Sequence, residues 1–225
     1  MFIGHYGVGF FAKALRRDIP LWVLFIAVQL IDVFWACFVM LGVERVRIVP
    51  GITATNPLDL YYMPYTHSLV GVLGWSAAGF AAYRLFSRSP FASRAALLVA
   101  LAVLSHWFLD LIVHRPDLPL YDDAAKVGLG LWNLPALSFL LEAALLFGGI
   151  YVYARSADPF YARKRTRMLI FGAVMAVGQI GVFFGPPPPS PAALAITGLA
   201  IYIVYAAAAR WLEGSLPQSR RGETF

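Results

Sequence analysis

The chain has 225 residues, of which 60% are hydrophobic and 13% charged. A water-soluble domain of this length has too little interior to hide so much apolar surface, so composition excludes an ordinary soluble globule. The net charge of +6 is carried mostly by short basic loops between apolar runs, which the positive-inside rule explains without nucleic acid as a partner.

Met1 to Ala12 is apolar and is followed by Lys13, Arg16 and Arg17. That order is the reverse of a cleavable signal peptide, so the segment is expected to stay in the mature protein. It is too short to cross a bilayer, and residues 1–19 read as a re-entrant or interfacial helix. Apolar runs then predict transmembrane helices near 20–43, 67–86, 94–113, 134–154, 167–185 and 192–212. The expected fold is an all-α polytopic helical bundle forming one transmembrane domain over 1–225. The lone cysteine, Cys37, lies in the first run and reads as a packing residue. No internal repeat suggests an inverted-repeat transporter.

Basic residues alternate between loops. Lys13, Arg16 and Arg17 precede the first run, Arg84, Arg88 and Arg94 separate the second and third, Arg155, Arg163, Lys164, Arg165 and Arg167 the fourth and fifth, and Arg210, Arg220 and Arg221 follow the sixth. These loops are expected on the cytoplasmic side, with both termini there and a bacterial inner membrane as the setting. The loops at 44–66, 114–133 and 186–191 are then external. The first two are long and rich in Pro, Gly, Tyr and Trp, which suggests that they fold over the bundle as a lid. The run Gly185-Pro186-Pro187-Pro188-Pro189-Ser190-Pro191 reads as a stiff polyproline connector. Trp22, Tyr61, Tyr62, Trp132 and Tyr151 read as interfacial anchors.

All four histidines, His5, His67, His106 and His114, fall in or beside apolar runs. Asp32 and Asp110 sit inside such runs, where a carboxylate is costly unless paired or metal-bound. At a helical rise of about 1.5 Å per residue, Asp32, His106, Glu142 and Gln179 all come out roughly 18 Å above the cytoplasmic ends of their spans. Asp110 and His114 follow His106 at i+4 and i+8 and so share its helix face, and His67 would face the same zone. These ligand types at this spacing suit zinc or a similar divalent metal, which would neutralise the carboxylates and activate water. Spacing does not decide between one metal and two bridged by Asp110. Taken singly, Gln179 and Gln29 read as hydrogen-bonded packing residues. Glu142 reads as an interhelical hydrogen-bond partner, a metal ligand, a group orienting a histidine, or a general base. Arg115 and Asn133 suit an anionic head group, or, for Arg115, a snorkelling role. Asp117, Asp122 and Asp123 read as solvated loop charges.

The succession His5, Asp32, Tyr65-Thr66-His67-Ser68 and Ser105-His106-x-x-x-Asp110 resembles the membrane-bound metal-dependent hydrolases of bacterial inner membranes, including the LexA-regulated type, over roughly residues 1–154. The stretches His114-Arg115-Pro116-Asp117-Leu118-Pro119-Leu120 and Gly128-Leu129-Gly130-Leu131-Trp132-Asn133, with the proline run, look like a proteobacterial subgroup of membrane proteins to which no reaction is attached. A more distant likeness, of ligand order alone, is to soluble zinc-dependent phospholipase C. It implies a first zinc on Asp32, His67, His106 and Asp110, and a second sharing Asp110 with His5. The remaining His-rich site of that enzyme is not reproduced, and His114 and Glu142 do not match its spacing.

These readings point to a hydrolase whose metal-activated water attacks a lipid-like or amphipathic ester or phosphoester, with the bilayer itself as the chain's other partner. Oligomeric state is not legible. The alternatives are a transporter that moves protons or metal ions along the same polar residues, and a non-catalytic scaffold.

Overall fold

The computed structural model describes residues 1–87, 91–156 and 162–214, with the side chains of 162–164 left aside. Arg88, Arg220 and Arg221, and the side chains of Arg163 and Lys164, therefore lie outside the described residues. Among the described residues eight α-helices dominate: α1 (Ile3–Leu15), α2 (Leu21–Val28), α3 (Leu30–Met40), α4 (Leu69–Phe86), α5 (Ala92–Val113), α6 (Pro135–Ser156), α7 (Ala162–Phe184) and α8 (Pro191–Gly214). Five of these, α4 to α8, have stretches long and apolar enough to cross a membrane.

The run at 20–43 is not one straight helix. It breaks at Gln29 into α2 and α3, whose axes differ by 53°. The pair can still make a sixth span as a bent unit. The break leaves the last carbonyls of α2 without their usual helical partners, and the site uses one of them.

The fold also departs from pure helix. After α3, Gly42 adopts φ +70°, the left-handed conformation that glycine supplies cheaply at a helix end. Val43 and Glu44 then bond back to the Phe38 carbonyl. The chain continues into β1 (Arg45–Ile48), which pairs antiparallel with β2 (Leu58–Tyr62) in a register that sets Arg45 opposite Tyr62 and Ile48 opposite Leu58. The second long connection, 114–133, closes on itself through the Leu118 and Val127 backbones. The two connections are tied together. Thr55 Oγ1 donates to the Trp132 carbonyl at 2.9 Å, Lys126 Nζ to the Tyr61 carbonyl at 2.7 Å, and Arg115 pairs with Asp59.

The short helix α1 is seated by close backbone approach. A Cβ on Gly149 of α6 would stand 2.1 Å from the Gly7 carbonyl oxygen, and one on Gly7 would stand 2.2 Å from that of Leu145. Small residues at such crossings let two helices pack backbone to backbone where lipid offers no hydrophobic drive. At its other end α1 is tied by Lys13, which is buried. Its ammonium donates to the carbonyls of Arg17 and Ile19 at 2.7 and 2.6 Å and pairs with Glu213 of α8. Glu213 in turn accepts the Leu21 N–H at 2.8 Å. In the turn that follows, hydrogen bonds from Arg16 at 2.8 and 2.7 Å hold the Asp18 carboxyl below the usual carboxylate range.

Candidate metal centre

Four parts of the chain deliver the six predicted ligands to one place. α1 brings His5 and α3 brings Asp32. His67 comes from the segment ahead of α4 rather than from the helix, since Ser68 is the helix cap, its Oγ accepting the Gly71 N–H at 2.9 Å. α5 carries His106 and Asp110, and His114 caps its end. All but Asp32 are buried, and Asp32 is nearly so.

Four donor atoms each lie within 3.8 Å of two others. His106 Nε2 stands 3.2 Å from Asp110 Oδ2 and 3.5 Å from Asp32 Oδ1. His67 Nε2 stands 3.4 Å from Asp32 Oδ1 and 3.8 Å from Asp110 Oδ2. Ligand bonds of about 2.1 Å in a tetrahedron put donor atoms roughly 3.4 Å apart, so each of these four separations is close to one edge of a coordination shell, and Asp32, His67 and His106 form one close group. Although it is 3.2 Å from a carboxylate, His106 Nε2 makes no hydrogen bond, as expected where neighbouring donors aim at a third point and not at each other. His5, His106 and Asp110 form a second close group. The two groups share His106, whose Nε2 has one lone pair and can serve one ion. Asp110 has two oxygens, and they face different ways: Oδ2 toward His67, His106 and His114, and Oδ1 toward His5 Nε2 at 3.1 Å and the Met1 nitrogen.

The opposite nitrogens of three imidazoles are each anchored. His106 Nδ1 lies 2.8 Å from the Val28 carbonyl oxygen, which can only accept. His114 Nδ1 lies 2.8 Å from Asp117 Oδ1. His67 Nδ1 lies 2.9 Å from the Thr66 hydroxyl. The first two anchors call for Nδ1–H and leave Nε2 free to ligate, the arrangement that metal-binding histidines ordinarily have, and the Thr66 hydroxyl can serve His67 in the same way by accepting. His5 differs: its ring stacks on His106 at 3.9 Å between centroids, and its Nδ1 has no partner among the described residues. The buried His/Asp group could hold a metal ion.

Several residues stand differently from their sequence reading. Asp117 is not a solvated loop charge; it is buried and bonds both His114 and Arg115. Arg115 is held between Asp59 and Asp117 and so is already paired. Trp132 is buried against the His114 ring at 4.2 Å and does not stand at an interface as an anchor. Asn133 and Asp122 are exposed, and Asp123 pairs with Lys126 at 2.8 Å. Glu142 Oε2 accepts the Phe2 and Gly4 N–H groups at 2.9 and 3.2 Å, and Oε1 accepts from Gln179 at 3.1 Å. Glu142 and Gln179 thus hold the start of α1. Gln29 is buried at the α2–α3 break and donates to the Phe2 carbonyl. The sequence reading missed Glu44, which lies close behind His67; its only cue was a charge just after the helix-ending Leu41-Gly42.

A cavity of about 400 Å³ opens beside the cluster. Asp32, His67, Asp110 and His114 line its polar end, and Trp35, Leu58, Phe183, Leu194, Gly198 and Ile201 are among its apolar walls. Tyr202 donates to Asp32 Oδ2 at 3.3 Å across that boundary. Comparison with protein-family models, with curated proteins and with solved structures finds no match to this chain.

Proposed function

We propose that the chain is a membrane-embedded, metal-dependent hydrolase acting on an amphipathic ester or phosphoester. The observation that carries this reading is the convergence of Asp32, His67, His106 and Asp110 at coordination-shell separations on the wall of a largely apolar cavity. Imidazole nitrogens with carboxylate oxygens suit zinc. In this reading α4 to α8 and the bent α2–α3 pair make six spans, α1 is re-entrant, and the basic loops set both termini on the cytoplasmic side of a bacterial inner membrane.

A bound divalent ion would polarise the scissile group and lower the pKa of its water. The chain's own residues supply the rest. His114 lines the cavity, its Nδ1 is held by Asp117, and its Nε2 is 3.4 Å from Asp110, so Nε2 is the atom we assign to carry a proton during turnover. Of the roles considered for Glu142, its three hydrogen bonds support holding α1, and with it His5, in place. The apolar walls would take the substrate's tail and exclude bulk water.

The buried residues of α5 before His106, namely Ala92, Ala95, Ala96, Val99, Ala102 and Val103, are all apolar. A blind pocket fits that pattern better than a path through the membrane. The test is elemental analysis of the detergent-purified protein beside its His106→Ala variant, followed by a screen of lipid ester and phosphoester hydrolysis. One or two equivalents of metal, lost in the variant, are expected. Metal absent from the unaltered protein, or retained in the variant, would overturn the assignment.

A further inference from the structure

Glu44 lies outside the set of candidate ligands, yet it is buried and fully engaged. Its Oε1 accepts the backbone N–H groups of Tyr65 and Thr66 at 2.8 and 2.9 Å, and its Oε2 accepts the Thr66 hydroxyl at 2.6 Å. That hydroxyl also sits 2.9 Å from His67 Nδ1. A hydroxyl has one proton to give, and an ionised carboxylate has none. With its proton directed to Glu44, Thr66 can only accept from His67. The imidazole must then carry its proton on Nδ1 and present the Nε2 lone pair to Asp32 and Asp110.

We infer that Glu44 is a positioning residue that acts through the Thr66 hydroxyl to fix the ligating form of His67. The inference rests on the metal reading of the site. The Gly42 turn brings Glu44 to the segment carrying Thr66 and His67, so the first long connection is wired to the centre as well as covering it. Replacing Glu44 by Gln reverses the relay. The amide oxygen can still accept the two backbone N–H groups, but the amide nitrogen donates to Thr66, the hydroxyl turns to donate to His67 Nδ1, and Nε2 becomes protonated.

The experiment is zinc or cobalt titration of the full-length protein in detergent, for the unaltered chain, Glu44→Gln, Thr66→Ser, Thr66→Val, and Glu44→Gln combined with Thr66→Val. Loss of such an outer partner commonly costs about 10- to 100-fold in metal affinity. Glu44→Gln and Thr66→Val should each weaken binding by about that factor, while Thr66→Ser, which keeps the hydroxyl, should bind like the unaltered chain. In the Thr66→Val background Glu44→Gln should add little, because the linking hydroxyl is already gone. Additive losses would mean that Glu44 only supports the backbone, and equal affinity in Glu44→Gln would remove it from the centre altogether. Either result overturns the inference and leaves the metal site standing. An unaltered chain that binds no metal would instead overturn the site itself. Melting curves for each variant separate lost affinity from lost fold, and the near-isosteric Thr66→Val and Thr66→Ser pair carries the test should Glu44→Gln fail to fold.

Discussion

His106 Nδ1 lies 2.8 Å from the Val28 carbonyl oxygen, at the last helical position before the break at Gln29. An unbroken helix would commit that carbonyl to its own ladder. The 53° bend between α2 and α3 therefore does two things: it frees an acceptor for His106 and sends α3 off in the direction that carries Asp32. A break in a span is tolerated where protein, not lipid, surrounds the freed groups, and Val28 is buried.

The crossing of α1 and α6 should be intolerant of a single methyl group. In Gly149→Ala the new carbon would meet the Gly7 carbonyl oxygen at 2.1 Å, and two backbones must part to admit it. Overpacking of this kind costs about 1–3 kcal/mol. A lowered melting temperature in detergent is expected, with reduced metal content because His5 rides on α1. Gly148→Ala, which meets nothing within 4 Å, should melt like the unaltered protein.

Glu142→Ala strips the acceptor from two N–H groups at the start of α1. Leaving buried donors unmet costs about 1–3 kcal/mol, and hydrogen exchange at Phe2 and Gly4 should quicken. Glu142→Gln keeps one accepting oxygen and should fall between the two. Unchanged exchange in Glu142→Ala would show that the start of α1 is held without Glu142.

Lys13→Met should loosen the opposite end of α1. The substitution removes the donor to the Arg17 and Ile19 carbonyls and the partner of Glu213, for a loss of about 1–3 kcal/mol measured by thermal unfolding. Metal content at low temperature should be unaffected, because this tie is far along α1 from His5.

If the cavity receives the substrate's tail, filling it should separate binding of metal from turnover. Leu194 lines the cavity on α8, and Leu194→Trp would take up more of it. Metal content should hold, while hydrolysis of long-chain substrates falls by at least about tenfold, the effect of some 1.4 kcal/mol on the barrier. Equal turnover on long and short chains would place the tail elsewhere.

The helices and the ligand types were legible in the sequence because both follow from the cost of apolar surface in water and of charge in lipid. The runs at 67–86 through 192–212 correspond to α4 to α8, and the His106, Asp110, His114 spacing puts all three on one side of α5. The break at Gln29 was not legible, since no Pro or Gly marks it. Depth along each span grouped Glu142 and Gln179 with Asp32 and His106, and both line the same cavity as Asp32, but depth says nothing of azimuth, and the Glu142 carboxylate turns toward the start of α1. Asp117 was misread because loop charges are usually solvated, and only the folding of one connection against the other buries it and Asp59 and pairs both with Arg115.

The backbone contact between Gly7 and Gly149 also bears on how the protein is made. Every candidate ligand lies at or before His114, so all six have been synthesised before α6 begins at Pro135. The groove that seats α1, and the Glu142 carboxylate that holds its first turn, arrive only with α6. A nascent chain halted between them would carry all six donors and lack the support that positions His5. Assembly of the complete ligand group thus waits on a later hairpin of the same polypeptide, and α1 must remain undocked during the interval.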